Sequence, residues 1–388
     1  MKRVLALLGW ITLSGCATQD MHRQAARGAS VGPLPRGPNI LFIVADDTGF
    51  SDVGHWGGEI PTPNIDALAQ SGVSFTNFHM SPVGSVSRAM FLTGADAHLI
   101  GLGNSREAPY APHLKRKGWE GHLLKNNVTV ARLLRDAGYH TYMVGKWDLG
   151  EQADNSPHVR GFEQTYVLVE GGGNHFNTKG FRPTTAVSSY RQNGRYVERP
   201  DGVYSTKLWT DKLLAMIDSH HGDGRPFFSY VAYTASHFPL QAPKEYILKL
   251  MGKYDKGWDK LRAERFERMQ KMGLITSGNK ILPPRNRLLL PWDKLSPAQQ
   301  KYEAKKMAIH AAMVANQDHH IGRIIGHLKK IGEYDNTVII FCSDNGAAAT
   351  HVDGPLSSRS VRRWVDVYFD NSYENLGTAT SLQALGAP

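Results

Sequence analysis

Cysteine is nearly absent from this sequence, with only Cys16 and Cys342 among 388 residues. Cys16 lies in the N-terminal leader and is expected to carry a lipid. Cys342 therefore has no cysteine in the same chain to pair with, which excludes a disulfide framework. Cys342 ends an apolar stretch, a setting typical of an inert core thiol. Stability is therefore expected from a hydrophobic core, for which 41% hydrophobic and 10% aromatic residues are sufficient.

Long runs of like charge and internal repeats are also missing. The formal charge is +10, from 45 basic and 35 acidic residues, but no five consecutive residues share a sign. This pattern is typical of a solvated surface that attracts anions weakly, and no nucleic-acid partner is expected. At 388 residues the chain has the length of one large α/β domain with insertions.

The first residues have the pattern of an export signal. Lys2 and Arg3 precede an apolar run over residues 4–12, which is too short for a permanent membrane span but typical of a secretory leader. The run leads to Leu13-Ser14-Gly15-Cys16, which resembles the lipobox of bacterial lipoproteins. An ordinary cleaved signal is the alternative. We expect residues 1–16 to be a lipoprotein signal peptide with Cys16 as the lipidated residue, and residues 17–37, polar and rich in Gly and Pro, to be a flexible tether.

Ala17, directly after this cysteine, is more typical of outer-membrane sorting than of inner-membrane retention. The expected location is therefore an exported lipoprotein held in the outer membrane by its lipid. It would face either the periplasm or the cell surface.

Two strands are predicted to end in oxygen-bearing side chains. Residues 40–45 are all apolar, as in a strand buried on both faces, and they stop at Asp46 and Asp47. A second apolar stretch, Thr337 to Phe341, is soon followed by Asp344 and Asn345. Ligands bind at the carboxyl ends of strands in open α/β sheets, and hard oxygen donors suit Ca²⁺ or Mg²⁺. An Asp pair alone more often caps a turn, but two such strands together predict a metal site.

A turn rich in Ser and Gly over residues 81–87 precedes a helix that is predicted to begin near Arg88. Backbone N–H groups at a helix start and a guanidinium suit an anion. Further strands are predicted over residues 73–78 and 139–144.

Other stretches predict helices and loops around this framework. Ser205 is predicted to cap a helix, and Ser296 starts a capping box with a long helix to Lys330. Residues 244–309 form an insertion whose amphipathic helix is expected to pack on the core as a lid. The segment Gly171 to Phe176 is predicted to be a surface loop, with the lining of a substrate mouth as the alternative.

The order of the motifs resembles that of the sulfatases, most closely the bacterial arylsulfatases. The similarity covers roughly residues 38–388, and the motifs are Asp46-Asp47, Ser87-Arg88 with Leu92-Thr93-Gly94, Gly145-Lys146-Trp147, His237-Phe238-Pro239-Leu240-Gln241-Ala242-Pro243 and Ser343-Asp344-Asn345-Gly346. The resemblance implies an α/β fold like that of alkaline phosphatase, with a large mixed sheet sandwiched by helices. It also implies hydrolysis of small anionic sulfate esters.

The resemblance assigns roles to residues at the matching positions. Asp46, Asp47, Asp344 and Asn345 would hold Ca²⁺ or Mg²⁺, Arg88 and Lys146 would contact the sulfate, and His237 would lie beside the leaving-group oxygen. The family's nucleophile is a formylglycine, made from Cys or Ser four residues before the Arg. That position is Gly84 here, with Val86 where the maturation signal has Pro or Ala, so the maturation enzyme is not expected to act.

Two further departures from the family pattern are visible. Asp148 stands where the family has a His that orients the nucleophile. The chain ends before a second sulfate-contacting Lys and the small C-terminal domain of relatives, so residues 38–388 are expected to be an incomplete catalytic domain. Three functions follow: an impaired sulfatase, a catalytically dead lipoprotein that binds anions or partners, or a phosphate or phosphonate ester hydrolase.

Overall fold

The computed structural model describes residues 37–105, 116–275, 282, 289–348 and 358–385. The predicted leader with Cys16 and the tether up to residue 36 lie outside the described residues. The described residues from Pro38 onward belong to one unit.

A seven-stranded sheet forms the centre of this unit, in the order β7-β6-β3-β2-β8-β1-β9. Its strands are β1 (Asn39–Ala45), β2 (His140–Lys146), β3 (Gln164–Leu168), β6 (Tyr190–Gln192), β7 (Arg195–Val197), β8 (Phe227–Ala232) and β9 (Thr337–Ser343), and β4 (Lys179–Arg182) pairs with β5 (Thr185–Val187) in a separate ribbon. Five neighbouring strands are parallel, in the order β3-β2-β8-β1-β9. Strand β6 pairs antiparallel with β3, and β7 pairs antiparallel with β6.

Helices cover both faces of the sheet, because a parallel sheet is apolar on both sides. They are α1 (Pro63–Ser71), α2 (Gly84–Thr93), α3 (Val130–Asp136), α4 (Ser205–His220), α5 (Lys244–Leu250), α6 (Gly257–Lys271), α7 (Pro297–Lys330) and α8 (Arg359–Tyr368). Trp209 of α4 and Ile321 of α7 pack in the core on one face, and Leu92 of α2 packs on the other. The predicted α/β sheet between helices is confirmed.

Two predicted helices are present with the predicted packing. The hydroxyl of Ser296 accepts the N–H of Gln299 while the Gln299 side chain accepts the N–H of Ser296, so the capping box starts α7. Helix α6 packs on the core through the buried side chains of Trp258 and Leu261. Among the described helices, none has both the length and the apolar character that a membrane span requires.

Three local predictions were wrong. Residues 73–78 form no strand, because Val73 and Phe75 are 81% and 73% exposed and pair with no neighbouring strand. Ser205 is the first residue of α4 rather than its cap, since its hydroxyl contacts His175 Nδ1 at 2.7 Å. Helix α2 begins at Gly84, one turn before Arg88.

Candidate active site

The tips of β1 and β9 bring the predicted metal ligands together. The two strands are parallel, with Ala45 opposite Ser343, so the residues that follow them lie side by side. The backbone continues this pairing, because the N–H of Asp344 donates to the carbonyl of Ala45 at 3.0 Å. The N–H of Asp47 donates to Asp344 Oδ1 at 3.2 Å. Carboxylates separated by almost 300 residues in sequence therefore share one small volume.

Asp47 has an unusual backbone conformation at this point. Its φ angle is 58°, in the left-handed region that few residues other than Gly, Asn and Asp adopt. The turn places its Oδ1 at 2.5 Å from Nδ2 of Asn345. Residues in such sparsely populated backbone conformations cluster at active sites and ligand-binding sites.

Arg88 lies fully buried beneath the acidic cluster. Its Nε donates to Asp344 Oδ2 at 2.8 Å, and its Nη2 lies 3.6 Å from Asp46 Oδ2. Neither Nη1 nor Nη2 has a hydrogen-bond partner among the described residues. A buried guanidinium with unused donors is an energetically unfavourable arrangement unless another oxygen is bound there.

Lys146 enters the same cluster from the end of β2. Its Nζ lies 3.0 and 3.1 Å from the two oxygens of Asp46 and 3.8 Å from Asp148 Oδ2. Gly145 precedes it because a Cβ there would lie 1.8 Å from the carbonyl oxygen of Ala232 in β8. Burial would lower the pKa of Lys146, but Asp46 and Asp148 raise it above its usual value, so the ammonium stays charged.

The two central carboxylates differ in proton affinity. Burial and the nearby charge of Asp344 raise the pKa of Asp46 to about 6, against the opposing effect of Lys146. Burial would also raise the pKa of Asp344, but Arg88 and Lys146 lower it below its usual value. Asp344 is therefore the firmly ionised member, and a bound cation would favour ionisation of both.

His237 completes the cluster from the loop after β8. Its Nε2 lies 3.7 Å from Asp47 Oδ2, and its Nδ1 lies 2.6 Å from the carbonyl oxygen of Phe238. A carbonyl can only accept, so Nδ1 carries a proton and Nε2 faces the carboxylates. One ligand atom each from Asp46, Asp47 and His237 lies within 4.8 Å of the others, as a metal ion would require. The structure therefore also places His237 among the possible cation ligands, a role that was not predicted for it.

The Sulfatase family profile matches residues 38–372 of the chain. The chain belongs to the sulfatase family. It is 36% identical over 365 residues to an arylsulfatase of Klebsiella aerogenes, covering 93% of this chain and 76% of that protein. It is 40% identical over 356 residues to an uncharacterised sulfatase of Schizosaccharomyces pombe, covering 89% of this chain and 63% of that protein.

A similar fold occurs in the crystal structure of Ps i-CgsB in complex with k-i-k-neocarrahexaose. It shares 27% sequence identity with the chain described here at a TM-score of 0.58, and the match covers 80% of this chain and 59% of the other. The chain therefore spans between about three fifths and three quarters of the length of these three relatives.

Position 84 of the chain faces the acidic cluster. A Cβ built on Gly84 would lie 2.2 Å from Asp344 Oδ2 and 3.1 Å from Asn345 Oδ1. A side chain at this first residue of α2 would thus point at two of the predicted metal ligands. Glycine offers no atom that could become an aldehyde, so a formylglycine does not fit the residues present. The Asp344 carboxylate occupies the space instead.

His175 lies in the segment for which the sequence offered a substrate mouth as the alternative, but its contact with the His237 loop was not predicted. The segment around it was predicted to be a surface loop, but Asn174 and His175 are 2% and 1% exposed. His175 Nε2 donates to the carbonyl oxygen of His237 at 3.1 Å, and burial lowers the pKa of His175 to about 3. A neutral His175 therefore supports the loop that carries His237. Only the run Gly171-Gly172-Gly173 before it hinted at a constrained backbone.

Proposed function

We propose that this chain is a sulfate-monoester hydrolase by descent, whose site binds a cation and a sulfate group but whose turnover is severely impaired. The observation that carries the proposal is the convergence of three buried carboxylates with Arg88 and Lys146 at the strand tips. Unused Arg88 donors in that cluster support an anion site. Gly84 supports the impairment, because no side chain is available to attack sulfur.

The cation would be held by Asp46, Asp47, Asp344 and Asn345. We propose Ca²⁺, with Mg²⁺ as the alternative, because the donors are oxygens and Ca²⁺ tolerates their irregular arrangement. Three carboxylates against the two cations of Arg88 and Lys146 leave a net negative charge that a divalent ion would neutralise. When bound, the metal would withdraw charge from a sulfate oxygen.

The remaining side chains would act on the sulfate directly. Arg88 would donate to sulfate oxygens through Nη1 and Nη2, which have no hydrogen-bond partner among the described residues, and Lys146 would supply a fixed positive charge. His237 Nε2 would face the oxygen of the departing alcohol. Asp148 lies 3.8 Å from Lys146 and would offset part of that positive charge. Without a nucleophile, such groups leave only about 10³ to 10⁴-fold catalysis over water.

The proposal is tested with the purified chain, after mass spectrometry of the peptide containing position 84. Hydrolysis of a chromogenic aryl sulfate and of the corresponding aryl phosphate is measured in the presence of Ca²⁺. Binding of the aryl sulfate is measured by calorimetry for the unmodified chain and for Lys146→Met. We expect Ca²⁺-dependent binding that Lys146→Met abolishes, with turnover close to background. Turnover of roughly 1 s⁻¹ or more with plain glycine at position 84 would refute the impairment. Preference for the phosphate would refute the sulfate assignment.

A second candidate function is an anion-binding protein without catalysis, which Gly84 specifically favours. It differs from the first in its response to repair. An impaired enzyme should regain turnover only when Gly84→Cys, Val86→Ala or Val86→Pro, and Asp148→His are combined with the C-terminal segment of its relatives and a maturation enzyme. Gly84→Cys alone should not suffice, because Val86 and Asp148 remain.

For the N-terminus we propose a lipid at Cys16 and attachment to the outer membrane. The motif Leu13-Ser14-Gly15-Cys16 after a charged apolar leader supports it. Labelling with a radioactive fatty acid should mark the unmodified chain and not Cys16→Ser. Equal labelling of both would refute the lipid site.

A further inference from the structure

Asp52 is a buried carboxylate in the loop that follows β1, and it is not one of the candidate metal ligands. Its Oδ2 accepts the N–H of Gly49 at 2.9 Å, and its own N–H donates to the carbonyl of Gly49 at 3.0 Å. These two bonds close residues 49–52 into one turn, as in a capping box. Gly49 follows the candidate ligand Asp47 by two residues. The turn therefore fixes the end of the short segment in which Asp47 lies.

This segment has a backbone that neighbouring contacts must hold in place. The φ angle of Asp47 is 58°, and such a conformation persists only when the surrounding structure determines it. On the side of β9, the N–H of Thr48 donates to Ser343 Oγ at 3.1 Å. Towards the C-terminus, the bonds between Gly49 and Asp52 hold the chain. The orientation of the Asp47 carboxylate thus depends on contacts that other parts of the chain supply.

Two helices hold the Asp52 carboxylate in turn. Burial would raise the pKa of Asp52, but Arg265 and His310 lower it well below its usual value, so the group is ionised. Arg265 of α6 donates from Nη1 to Oδ1 at 2.7 Å. His310 of α7 lies with Nε2 at 3.1 Å from Oδ2, and it must be the donor because an ionised carboxylate only accepts. Both oxygens of Asp52 therefore have donors, and α6 and α7 set its position.

Arg265 has a second carboxylate partner that does not reach the loop. Its Nε and Nη2 donate to the two oxygens of Glu59 at 2.7 and 2.8 Å. Glu59 also accepts the hydroxyl of Tyr254 at 2.9 Å. In the described part of the chain, no hydrogen bond joins the Glu59 side chain to residues 46–49. Asp52 and Glu59 thus share the attachment to α6, and Asp52 is the one that extends it to the segment of the metal ligands.

We propose that Asp52 is a positioning residue for the cation site, which holds the Asp47 segment in the conformation that binds the cation. The inference rests on the proposed function, because that proposal places the cation at the strand tips. Groups that orient metal ligands typically change metal affinity about 10–100-fold when they are replaced. In Asp52→Asn one oxygen becomes an NH2 group, which would face a donor whichever way the amide turns. The contact with either Gly49 or Arg265 is therefore lost, and the turn loosens.

The test measures Ca²⁺ affinity by calorimetry for the unmodified chain, for Asp52→Asn and for the matched control Glu59→Gln. The luminescence lifetime of Tb³⁺ in H2O and in D2O counts the water molecules on the bound ion. We expect Asp52→Asn to bind Ca²⁺ about tenfold or more weakly. It should also add water to bound Tb³⁺, because solvent replaces a displaced carboxylate. Glu59→Gln should keep the affinity and the water count of the unmodified chain, although it too takes a charge from Arg265.

The outcomes separate this inference from the proposed function. If the unmodified chain binds neither Ca²⁺ nor Tb³⁺, the proposed cation site is wrong, and this inference with it. If the unmodified chain binds Ca²⁺ and Asp52→Asn binds it equally well with the same water count, Asp52 does not position the ligands. Equal weakening in Glu59→Gln would assign the effect to the docking of α6 and would also overturn the role of Asp52.

A second variant disturbs the same contact from its other end. A Cβ on Gly49 would lie 2.9 Å from Asp52 Oδ2 and would push the carboxylate away from the turn. If Asp52→Asn fails to fold, Gly49→Ala is therefore expected to show the same loss of Ca²⁺ affinity and the same added water. An unchanged affinity in that variant would overturn the inference.

Discussion

The contact between position 84 and Asp344 makes a single methyl group a sensitive probe of the site. In Gly84→Ala the new Cβ would lie 2.2 Å from Asp344 Oδ2 and 3.0 Å from its Cγ. Helix α2 fixes the backbone of residue 84, so the short carboxylate has to rotate away. That rotation breaks the 2.8 Å bond from Arg88 Nε.

The size of the effect follows from burial. Arg88 and Asp344 are both fully buried, and loss of one partner of a buried ion pair costs about 3–5 kcal/mol. Asp46, 3.6 Å from Nη2, retains part of the attraction. Alanine in a helix also gains roughly 0.5–1 kcal/mol over glycine. The net loss of unfolding free energy in a chelator is therefore about 2–4 kcal/mol, which for a chain of this length lowers Tm by roughly 2–5 °C.

Saturating Ca²⁺ should reduce this loss, because a cation gives the rotated Asp344 a new partner. The assay is thermal unfolding in EDTA and in excess Ca²⁺, with Gly346→Ala and Gly326→Ala as controls. A Cβ at either control position meets nothing within 4 Å. If Gly84→Ala has the same Tm as the two control variants in EDTA, Asp344 is not displaced by the new Cβ. If Ca²⁺ leaves the difference in Tm unchanged, the rotated Asp344 does not bind the cation.

Three further predictions concern the cation, the pH and the sheet. Ca²⁺ at about 100 times its Kd should stabilise the unmodified chain by roughly 2.7 kcal/mol. Scanning calorimetry should show that Asp344→Ala loses this stabilisation. Equal stabilisation of both chains would exclude Asp344 as a ligand. Burial lowers the pKa of His175 from 6.5 to about 3 in the folded chain. As the pH falls, the unfolded chain therefore binds a proton at this residue before the folded chain does. The free energy of unfolding should decrease as pH drops from about 6.5 towards 3. Urea unfolding over this range should show a shallower loss for His175→Gln, and identical slopes would count against a neutral buried ring. Gly145→Ala should lose more than about 3 kcal/mol of unfolding free energy or fail to fold. The reason is that its Cβ would lie 1.8 Å from the backbone oxygen of Ala232, which cannot move aside. A thermal unfolding curve by circular dichroism that matches the unmodified chain would contradict this.

Elements with local signals could be predicted from the residues alone. The continuous apolar run of residues 40–45 requires a strand buried on both faces, and β1 spans Asn39–Ala45. The capping box at Ser296 and the glycine at position 332 bound α7, because both act within one helical turn. Motif order was also sufficient for the family, since it needs no knowledge of contacts.

Contacts between distant residues, and the protonation of the buried groups, could not be predicted without the packed fold. The alternating residues 73–78 remained outside the sheet, because a strand needs a partner that sequence alternation does not supply. His175 became a buried support for His237, although 62 residues separate them. Likewise Asp46 and Asp344 are similar in sequence context, yet burial raises one pKa while Arg88 lowers the other. Proton affinity and site membership depend on distances across the chain, which are fixed only when β1, β9 and α2 pack together.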